Sequence, residues 1–478
     1  MPIPRSAALA LLLASAVPAA AASIPFRVPP AAEAAPRLAR GFVGFSFESG
    51  ELSTGLFAAV DAPLVRLFRE VGAGLLRIGG NSVDRTPWDD GGDADGHGLT
   101  QSFVAPADVD RLAGFLGAVP GWRAIYSLDL AAGDGAAAAR EARYAGAALG
   151  GSLFAVAVGN EPDLYGRNGH RPASYTYADY AAEWAQDRRL IAGAAPRVPV
   201  SGPDAGYDAK RYTLPFIAAF GPALRVATQH YYKASSCSGP TVASLLAPDP
   251  VLTTTAATLV AAAAAAGVRD GLRYDEINSF YSCTDASGRE VSGVAGVSDS
   301  FASALWAIDV AAQLAAAGTS GVDFHSGGHA FYSPIQTAKG AVIAVKPEFY
   351  GIWLLARALR EGPSRLVAAS RDLGGRAGLN VYALRREDGG AAVLLLNEGA
   401  GEAAVDLSGL PAGPLGRLTL RAAGGLSDTD PSHVTVNGAT IGTDGRWSGP
   451  VVPEAVEAPS GAATVAVPPG AAVLLVAR

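Results

Sequence analysis

The chain contains 478 residues, of which 49% are hydrophobic and 17% are charged. This balance excludes a disordered chain, and the length allows a large hydrophobic core that needs no cross-links to fold. The formal net charge of −7 argues against a nucleic-acid partner and against binding to an anionic membrane surface.

The first 22 residues have the composition of a signal peptide. Arg5 supplies a positive charge, residues 7–17 form an apolar stretch, and the alanines up to Ala22 offer a cleavage site. We therefore predict that residues 1–22 are removed and that the protein is secreted or periplasmic, with no membrane attachment afterwards. The two cysteines, Cys237 and Cys283, suit one disulfide in an oxidising compartment of this kind.

Between residues 39 and 361, short apolar runs alternate with helical patterns. Eight such runs at this spacing predict an α/β protein whose catalytic domain is a (β/α)8 TIM barrel. Helices are predicted over 107–118, 177–192 and 298–317, and Ser298-Asp299 is the expected N-cap of the last one. The runs predicted as barrel strands are 41–47, 75–79, 124–130, 153–159, 198–202, 225–231, 272–276 and 321–325.

The pattern changes in residues 362–478, where short β-rich runs are separated by Gly, Pro and Asp-Gly turns. This pattern predicts an antiparallel β-sandwich packed firmly against the barrel. Residues 23–38 precede the barrel, and the run 24–28 within them is expected to add an N-terminal strand to the same sandwich. The predicted sandwich strands are 379–385, 391–397, 418–422, 434–437, 463–467 and 472–476.

Two carboxylates stand where a barrel enzyme places its chemistry, at the carboxyl ends of strands. Glu161 ends the fourth predicted strand and Glu276 ends the seventh. Two such groups facing each other about 5–5.5 Å apart suit double-displacement glycoside hydrolysis. Asp275 competes with Glu276, because neighbouring strand residues point in opposite directions and spacing alone does not decide between them. Each residue also has a non-catalytic interpretation. Glu161 could be a turn residue before a proline, and Glu276 could be a surface or salt-bridged glutamate.

Sequence motifs along the barrel resemble glycoside hydrolase family 79, the β-glucuronidase and heparanase-like family, and more closely its bacterial exo-acting members. The stretches occur in order over most of the barrel. They are GFSFES (44–49), LLRIGGNSVD (75–84), VGNEPDLY (158–165), RYDEINSFY (273–281), GVSDSFASALWAID (296–309) and GVDFHSGG (321–328).

The resemblance implies a role for each matching polar residue. Glu161 would be the acid/base and Glu276 the nucleophile, which decides against Asp275. Asn160 would hydrogen-bond the sugar 2-hydroxyl, and Glu48 would bind the sugar in the −1 subsite. We also expect Asn81, at the end of the second strand, to contact substrate.

The resemblance further implies a set of tyrosines around the sugar. Tyr232, or less favourably Tyr231, would contact the nucleophile from the sixth strand. Tyr281 and Tyr332 would hold the glucuronate carboxylate, because a phenol can donate a hydrogen bond to it without adding charge. No cofactor and no metal are expected, since His325 and His329 are separated by glycines and lie on no helix.

One segment departs from the family pattern. Residues 282–292 form an inserted loop with a cysteine where a compact glycine-rich turn is expected. Cys237 and Cys283 follow the sixth and seventh strands, so both loops should lie at the same barrel face and join in a disulfide. That bond would brace the inserted loop beside the site.

These observations predict a retaining exo-β-glucuronidase that acts on a glucuronide or on a glucuronate-containing glycan. The closest alternative is a heparanase-like endo-β-glucuronidase on an acidic polysaccharide, which would want a basic cleft that the sequence does not show. A related activity, such as that of a glucosidase or xylosidase, and a catalytically silent glycan-binding protein are the other hypotheses.

Overall fold

The computed structural model describes residues 23–58, 62–91 and 103–477, so the predicted signal peptide lies outside the described residues. The strands, in chain order, are β1 (Ile24–Arg27), β2 (Arg37–Leu38), β3 (Val43–Glu48), β4 (Gly74–Gly79), β5 (Trp122–Leu128), β6 (Leu153–Val158), β7 (Val200–Ala205), β8 (Leu224–Ser235), β9 (Leu272–Tyr281), β10 (Cys283–Thr284), β11 (Glu290–Val291), β12 (Gly321–His325), β13 (Ile335–Ala338), β14 (Ala341–Val345), β15 (Ser364–Ser370), β16 (Leu379–Arg386), β17 (Ala391–Asn397), β18 (Ala403–Ser408), β19 (Gly413–Ala422), β20 (Val434–Val436), β21 (Glu454–Ala458), β22 (Ala463–Val467) and β23 (Ala471–Ala477). The helices are α1 (Pro63–Val71), α2 (Pro106–Ala118), α3 (Gly135–Leu149), α4 (Tyr165–Asn168), α5 (Tyr177–Ala194), α6 (Leu214–Phe220), α7 (Val242–Leu246), α8 (Pro250–Ala265), α9 (Ala302–Ala316) and α10 (Pro347–Leu359).

Eight parallel strands close into a barrel in the order β12, β3, β4, β5, β6, β7, β8 and β9. This confirms the predicted TIM barrel, since each predicted run overlaps one of these strands. β8 and β9 run several residues past their predicted ends and carry their loops above the barrel mouth.

Several barrel strands, such as β6, read as continuous apolar runs because they are buried on both faces. Every residue of β6 is buried, for example. Small and branched side chains that include Ile125, Ala155, Ala157 and Val226 form a separate cluster. The other apolar strand residues pack with the surrounding helices in the main core. Full burial of parallel strands removes the alternation seen in half-exposed sheets.

Helix α9 begins later than predicted. Its first residue is Ala302, and Phe301 at the N-cap offers no side-chain hydrogen bond. The predicted N-cap at Ser298-Asp299 is therefore wrong. Both side chains instead stabilise the turn before the helix, where Ser298 accepts from the Val294 N–H and Asp299 accepts from the Gly296 N–H.

The C-terminal strands form two sheets, which confirms the predicted sandwich. The larger sheet has the order β2, β15, β16, β17, β23, β19, β20, with β21 also paired to β19. The smaller sheet contains β1, β18 and β22. The N-terminal strand β1 pairs in parallel with β18, so both chain ends contribute to this part of the fold. The sequence pattern did not predict β15, β18 or β21.

The central strands of the larger sheet, β16, β17 and β23, are buried on both faces, and this fixes the position of the sheet against the barrel. In β17, Val393 and Leu395 pack in the core between the two sheets. Leu394 and Leu396 point the other way and join the barrel core, where β17 contacts α10. Because side chains alternate along a strand, one strand serves both interfaces.

One stretch, residues 242–265, is long and apolar enough by composition to cross a membrane. It consists of α7 and α8, which are separated by a break before Pro250. Leu252, Ala256 and Leu259 of α8 are buried in the barrel core. Such partial burial along one face is typical of an outer helix of a TIM barrel.

Candidate active site

A cavity of about 680 Å³ opens at the carboxyl ends of the barrel strands. In TIM barrels this end of the barrel carries the chemistry. The residues that line the cavity are Glu48, Asn81, Arg85, Glu161, Leu164, Arg167, Asn168, Gly206, Tyr207, Tyr232, Glu276, Tyr281, Ser282, Cys283, Thr284, Glu290, Ser292, His325 and Tyr332.

Glu161 reaches the cavity through an unusual backbone conformation. It follows β6 with φ 51° and ψ 55°, in the left-handed region that non-glycine residues seldom adopt. Pro162 then starts a short 3-10 helix, and the Glu161 N–H donates to the carbonyl of Asp204 on β7. Gly206 leaves room for the side chain, since a Cβ there would lie 2.9 Å from Glu161 Oε1. Conformations of this kind concentrate at functional sites.

Glu276 and Asp275 point to opposite faces of β9, as strand geometry requires. The Glu276 side chain lines the cavity. Asp275 is fully buried inside the barrel, where burial raises the pKa of its carboxyl well above the usual range. The Arg77 Nε lies 3.9 Å from its Oδ2. Of the two neighbours, only Glu276 can therefore meet a ligand in the cavity.

The Glu276 carboxylate is surrounded by groups that favour its charge. Tyr232 donates its hydroxyl to Oε1 at 2.9 Å, and Arg77 donates from Nη1 to Oε2 at 2.5 Å. His325 Nδ1 lies 3.6 Å from Oε2. Burial by itself would raise the pKa of Glu276, but His325, His230 and Arg77 outweigh it and lower the pKa to about 2.

The pKa of Glu161 is shifted in the opposite direction to that of Glu276. Burial raises the pKa of its carboxyl, and the negative charge of Glu276 adds to that increase. His230 opposes it through a contact of 3.2 Å between its Nδ1 and Glu161 Oε1. The charge of Glu276 and the hydrogen-bond contact with Glu161 raise the pKa of His230 to about 9 despite its burial. One carboxylate oxygen of Glu161 and one of Glu276 lie within 4.8 Å of each other.

Arg77 is the centre of the buried polar network beneath the cavity, and sequence reasoning missed it. Its Nη2 donates to Asn160 Oδ1 at 2.7 Å and to Asp204 Oδ2 at 3.1 Å, in addition to the Nη1 bond to Glu276. The side chain is completely buried. The sequence does offer one indication of its role. Arg77 lies within the apolar run of β4, next to Ile78, and an arginine buried in such a strand needs anionic partners.

Of the remaining predicted polar residues, Glu48 and Asn81 line the cavity, whereas Asn160 is buried beside them and only 3% exposed. Glu48 accepts a 2.7 Å bond from the Ser82 N–H, and its Oε1 lies 3.7 Å from His325 Nε2. Asn160 donates from Nδ2 to Asn81 Oδ1 at 3.3 Å. Burial would raise the pKa of Glu48, but His325 and the Ser82 contact lower it.

Three of the four predicted tyrosines line the cavity, and one does not. Tyr232 and Tyr332 pack with their ring centroids 5.7 Å apart, and Tyr281 is 42% exposed at the rim. Tyr231 lies on the other side of β8, where its hydroxyl donates to Asp249 Oδ2 at 2.7 Å. The prediction that Tyr231 contacts substrate is therefore corrected, since the pleat directs it away from the cavity.

The inserted loop forms a short hairpin at the cavity wall. β10 and β11 pair antiparallel, and Cys283 on β10 is joined to Cys237 after β8. The Cα atoms of the two cysteines are 6.0 Å apart. The predicted disulfide is thus confirmed, and it ties the hairpin to the neighbouring loop. The hairpin and its flanking residues, Ser282 and Ser292, contribute to the cavity lining.

Sequence reasoning also missed two arginines at the rim, Arg85 and Arg167. Arg85 ends a short 3-10 helix after β4, and Arg167 lies in α4 shortly after Glu161. They are far apart in sequence, so no basic cluster is visible there. The barrel topology brings both to the same opening.

Two trios of side chains have atoms close enough to hold a metal ion, with all atoms within 4.8 Å of one another. The first comprises Glu161, His230 and Glu276, and the second comprises Asp204, His230 and Asp275. The Arg77 guanidinium already contacts Glu276 and Asp204 in these trios. A fixed organic cation thus provides the compensating charge that a metal would supply.

Comparison with known proteins supports the same family as the sequence motifs. No family model matches the chain. A β-glucuronidase of Neurospora crassa is 27% identical over 243 residues, which are 45% of this chain and 41% of that protein. The match thus spans less than half of the relative's length. It confirms the predicted resemblance to a β-glucuronidase-like glycoside hydrolase family.

Solved structures show the same fold at low sequence identity. A 4-O-α-L-rhamnosyl-β-D-glucuronidase from Fusarium oxysporum 12S has a TM-score of 0.75 and 21% identity, over 95% of this chain and 100% of that chain. A GH51 arabinofuranosidase from Xanthomonas axonopodis pv. citri has a TM-score of 0.65 and 15% identity, over 95% and 100% of the two chains. Identity this low indicates shared architecture only.

Proposed function

We propose that this protein is a retaining exo-β-glucuronidase that removes β-D-glucuronate from the non-reducing end of a glucuronide or glycan. One observation carries the proposal. Two carboxylates with opposite pKa shifts, Glu161 and Glu276, share the cavity and approach within 4.8 Å. A short separation favours a covalent intermediate, because an inverting enzyme needs room for a water molecule between the groups.

In the first step, the ionised Glu276 would attack the anomeric carbon of the sugar. Its lowered pKa keeps it charged, and the Tyr232 hydroxyl and Arg77 hold its two oxygens in place. Burial and the charge of Glu276 raise the pKa of Glu161 and so favour its protonated form, which would donate its proton to the leaving oxygen. The aglycone departs as an alcohol, and an ester joins the sugar to Glu276.

In the second step, Glu161 would act as the base. Once Glu276 is esterified, it no longer carries the negative charge that raises the pKa of Glu161. The ionised Glu161 would then take a proton from water as the water attacks the same anomeric carbon. Glucuronate is released with its β configuration retained, and both carboxyl groups return to their starting states.

The preference for glucuronate is supported by the tyrosine side of the cavity. Tyr281 and Tyr332 line the cavity beside the nucleophile, whereas the Tyr232 hydroxyl already donates to Glu276. Phenol hydroxyls can donate hydrogen bonds to a C5 carboxylate, which a neutral hydroxymethyl group would not need. The names of the Neurospora and Fusarium proteins include β-glucuronidase activity, which agrees with this assignment.

The exo mode is supported by the hairpin of β10 and β11, which the disulfide holds at one wall of the cavity. The alternative is an endo-acting enzyme on an acidic polysaccharide. The sequence shows no basic cleft for such a substrate, but the structure brings Arg85 and Arg167 together at the rim of the cavity, which favours this alternative. Product analysis separates the two modes, since an exo enzyme releases only glucuronate and an endo enzyme releases oligosaccharides.

A location outside the cytoplasm is also proposed. The Cys237–Cys283 disulfide is consistent with an oxidising compartment. Residues 1–22 have the composition of a signal peptide. N-terminal sequencing of the exported protein tests this, and a mature chain beginning near Ser23 is the expected result.

The test of activity compares aryl β-D-glucuronide with the aryl β-D-glucoside that has the same leaving group. We expect kcat/KM to favour the glucuronide by about 10⁴-fold or more, because a site built for a polar group rejects an analogue that lacks it. Proton NMR of the first product should show the β-anomer before mutarotation.

Glu276→Ala should abolish turnover, whereas the exposed Glu454→Ala should match the wild type. Similar kcat/KM on both substrates, or the α-anomer first, would contradict the proposal.

A further inference from the structure

Arg85 and Arg167 line the active-site cavity as free cations. Both side chains are exposed. Among the described residues, neither guanidinium group has a hydrogen-bond or ion-pair partner, although most other cavity residues with charge are paired. An unpaired guanidinium inside a ligand cavity is available to a ligand, and its planar fork of donors suits carboxylate and sulfate groups.

Both arginines belong to the wall that carries the acid/base. Arg167 lies in α4, which begins four residues after Glu161. Arg85 follows Asp84, whose carboxylate accepts from the Asn160 N–H at 3.2 Å and from the hydroxyl of Tyr165, the first residue of α4, at 2.8 Å. Tyr281, Tyr332 and the nucleophile Glu276 come from β9 and the segment after β12, across the cavity.

This division of the cavity gives the two walls different tasks. The sugar that forms the covalent intermediate must lie against Glu276, so its carboxylate faces the tyrosines. The leaving group must lie against Glu161, because that residue protonates the glycosidic oxygen. The arginines are therefore placed to meet the leaving group rather than the glucuronate.

We infer that the cavity contains an anion-binding aglycone subsite, formed by Arg85 and Arg167, that selects leaving groups carrying a carboxylate or a sulfate. Tyr207, 69% exposed on the loop after β7, offers an aromatic face to a sugar ring at the same opening. The substrate class would then be an acidic glycan in which glucuronate is linked to a second anionic sugar. This inference rests on the proposed function.

Charge on the opposite wall agrees with this orientation. Glu290 of the hairpin is exposed at the cavity lining and faces it with a carboxylate. An anionic leaving group on that side would be repelled, whereas the side with the two arginines would attract it. The rim is thus polarised, even though the whole chain has a net charge of −7.

The test uses three disaccharides in which glucuronate is β-linked to glucose, to glucuronate or to a glucose sulfate. Released glucuronate is measured for the wild type and for the double variant Arg85→Gln/Arg167→Gln. We expect the double variant to lose about threefold to tenfold in kcat/KM on the acidic substrates, because each exposed ion pair contributes modestly. Its activity on the neutral disaccharide should stay within about twofold of the wild type.

A control variant and a salt experiment make the test specific. Arg269→Gln, in the loop before β9 at the opposite end of the barrel, should behave as the wild type on all three substrates. Salt at about 0.5 M should reduce the wild-type preference for the acidic disaccharides, since it screens exposed charges. A gain with only one of the two acidic substrates would identify that anion as the one bound.

Equal losses on all three disaccharides, or no preference of the wild type for acidic leaving groups, would overturn the inference. Failure of the proposed function gives a different result, in which the wild type cleaves no glucuronide at all. In that case, calorimetry with sulfur-linked analogues of the same disaccharides still decides the matter. Tighter binding of the acidic analogues that is lost in the double variant supports the subsite, and equal binding overturns it.

Discussion

Replacing Arg77 with methionine removes the only guanidinium in contact with the site's buried carboxylates among the described residues. Arg77 contacts Glu276, Asp204 and Asn160 at 2.5, 3.1 and 2.7 Å, and none of its side chain is exposed. Breaking a buried ion pair by removing one partner costs about 3–5 kcal/mol. Methionine is similar in length, so the loss reflects charge more than an empty cavity.

The expected change in melting temperature follows from the size of the chain. A chain of 478 residues has an unfolding entropy of about 1 kcal/mol per kelvin near 60 °C. A loss of about 3–5 kcal/mol at pH 7 should therefore lower Tm by about 3–5 °C. Turnover should fall as well, because Glu276 and Asn160 lose the group that orients them.

The pH dependence identifies the cause of this loss. In the wild type, the pKa of Glu276 is lowered to about 2, so its ionised form stabilises the fold above the ordinary glutamate pKa, and this stabilisation is lost as pH falls towards 2. Without Arg77 the folded-state pKa rises, and this contribution shrinks. The difference in Tm between variant and wild type should hence be largest near pH 7 and much smaller at about pH 2.5, which is close to the folded-state pKa of Glu276.

Differential scanning calorimetry at pH 7 and at about pH 2.5 measures the Tm difference at both ends of this pH range. Arg446→Met is the matched control, because Arg446 is 66% exposed and lies 3.8 Å from an exposed Asp444. It should shift Tm by less than about 1 °C at either pH. A Tm loss for Arg77→Met that is as large at about pH 2.5 as at pH 7, or no loss at all, would refute the electrostatic account.

Four other predictions concern the site. Tyr232→Phe should lower kcat/KM on an aryl glucuronide by about 10- to 100-fold, since a hydrogen bond to a charged group contributes about 1.5–3 kcal/mol. Tyr231→Phe should change kcat/KM by no more than about twofold, because its hydroxyl contacts Asp249 instead. Equal losses would contradict the observed side-chain directions. Glu161→Ala should slow substrates with poor leaving groups far more than activated aryl glycosides, and azide should restore turnover as a β-glycosyl azide; equal losses without that product would remove the acid/base role. His230→Asn should move the alkaline limb of the kcat/KM profile to higher pH, because His230 lowers the pKa of Glu161, and an unchanged or lower limb would argue against that coupling. Thiol titration of denatured, unreduced protein should find no free thiol, and two thiols would disprove the disulfide.

The barrel could be predicted because its signal is carried by local apolar runs. Fully buried parallel strands such as β6 are recognisable without any knowledge of their partners. The strands that were missed lack this signal. β18 (Ala403–Ser408) and β21 (Glu454–Ala458) are rich in alanine or glutamate, which are depleted in strands, and only pairing with neighbours makes them extended.

The two candidate catalytic residues could be predicted from the sequence, but the residues that surround them could not all be predicted. Motifs and strand ends indicate Glu161 and Glu276, but the residues alone leave Asp275 open, because the phase of the pleat is set by the closed barrel. Arg77 was missed because its partners lie on β3, β7 and β9 and in the loop after β6, and they become neighbours only on barrel closure. Arg85 and Arg167 were missed for the same reason, since long separation in sequence conceals a shared cavity.

The central claim is that Glu276 forms a covalent bond with glucuronate, and one measurement tests it directly. A 2-deoxy-2-fluoro-β-D-glucuronyl fluoride should inactivate the protein with loss of fluoride, because the 2-fluoro group slows hydrolysis of the glycosyl-enzyme more than its formation. Peptide mass spectrometry should then find one sugar per chain, esterified to Glu276. A label on Asp275 or on any other residue, or full activity with no label, would contradict the account.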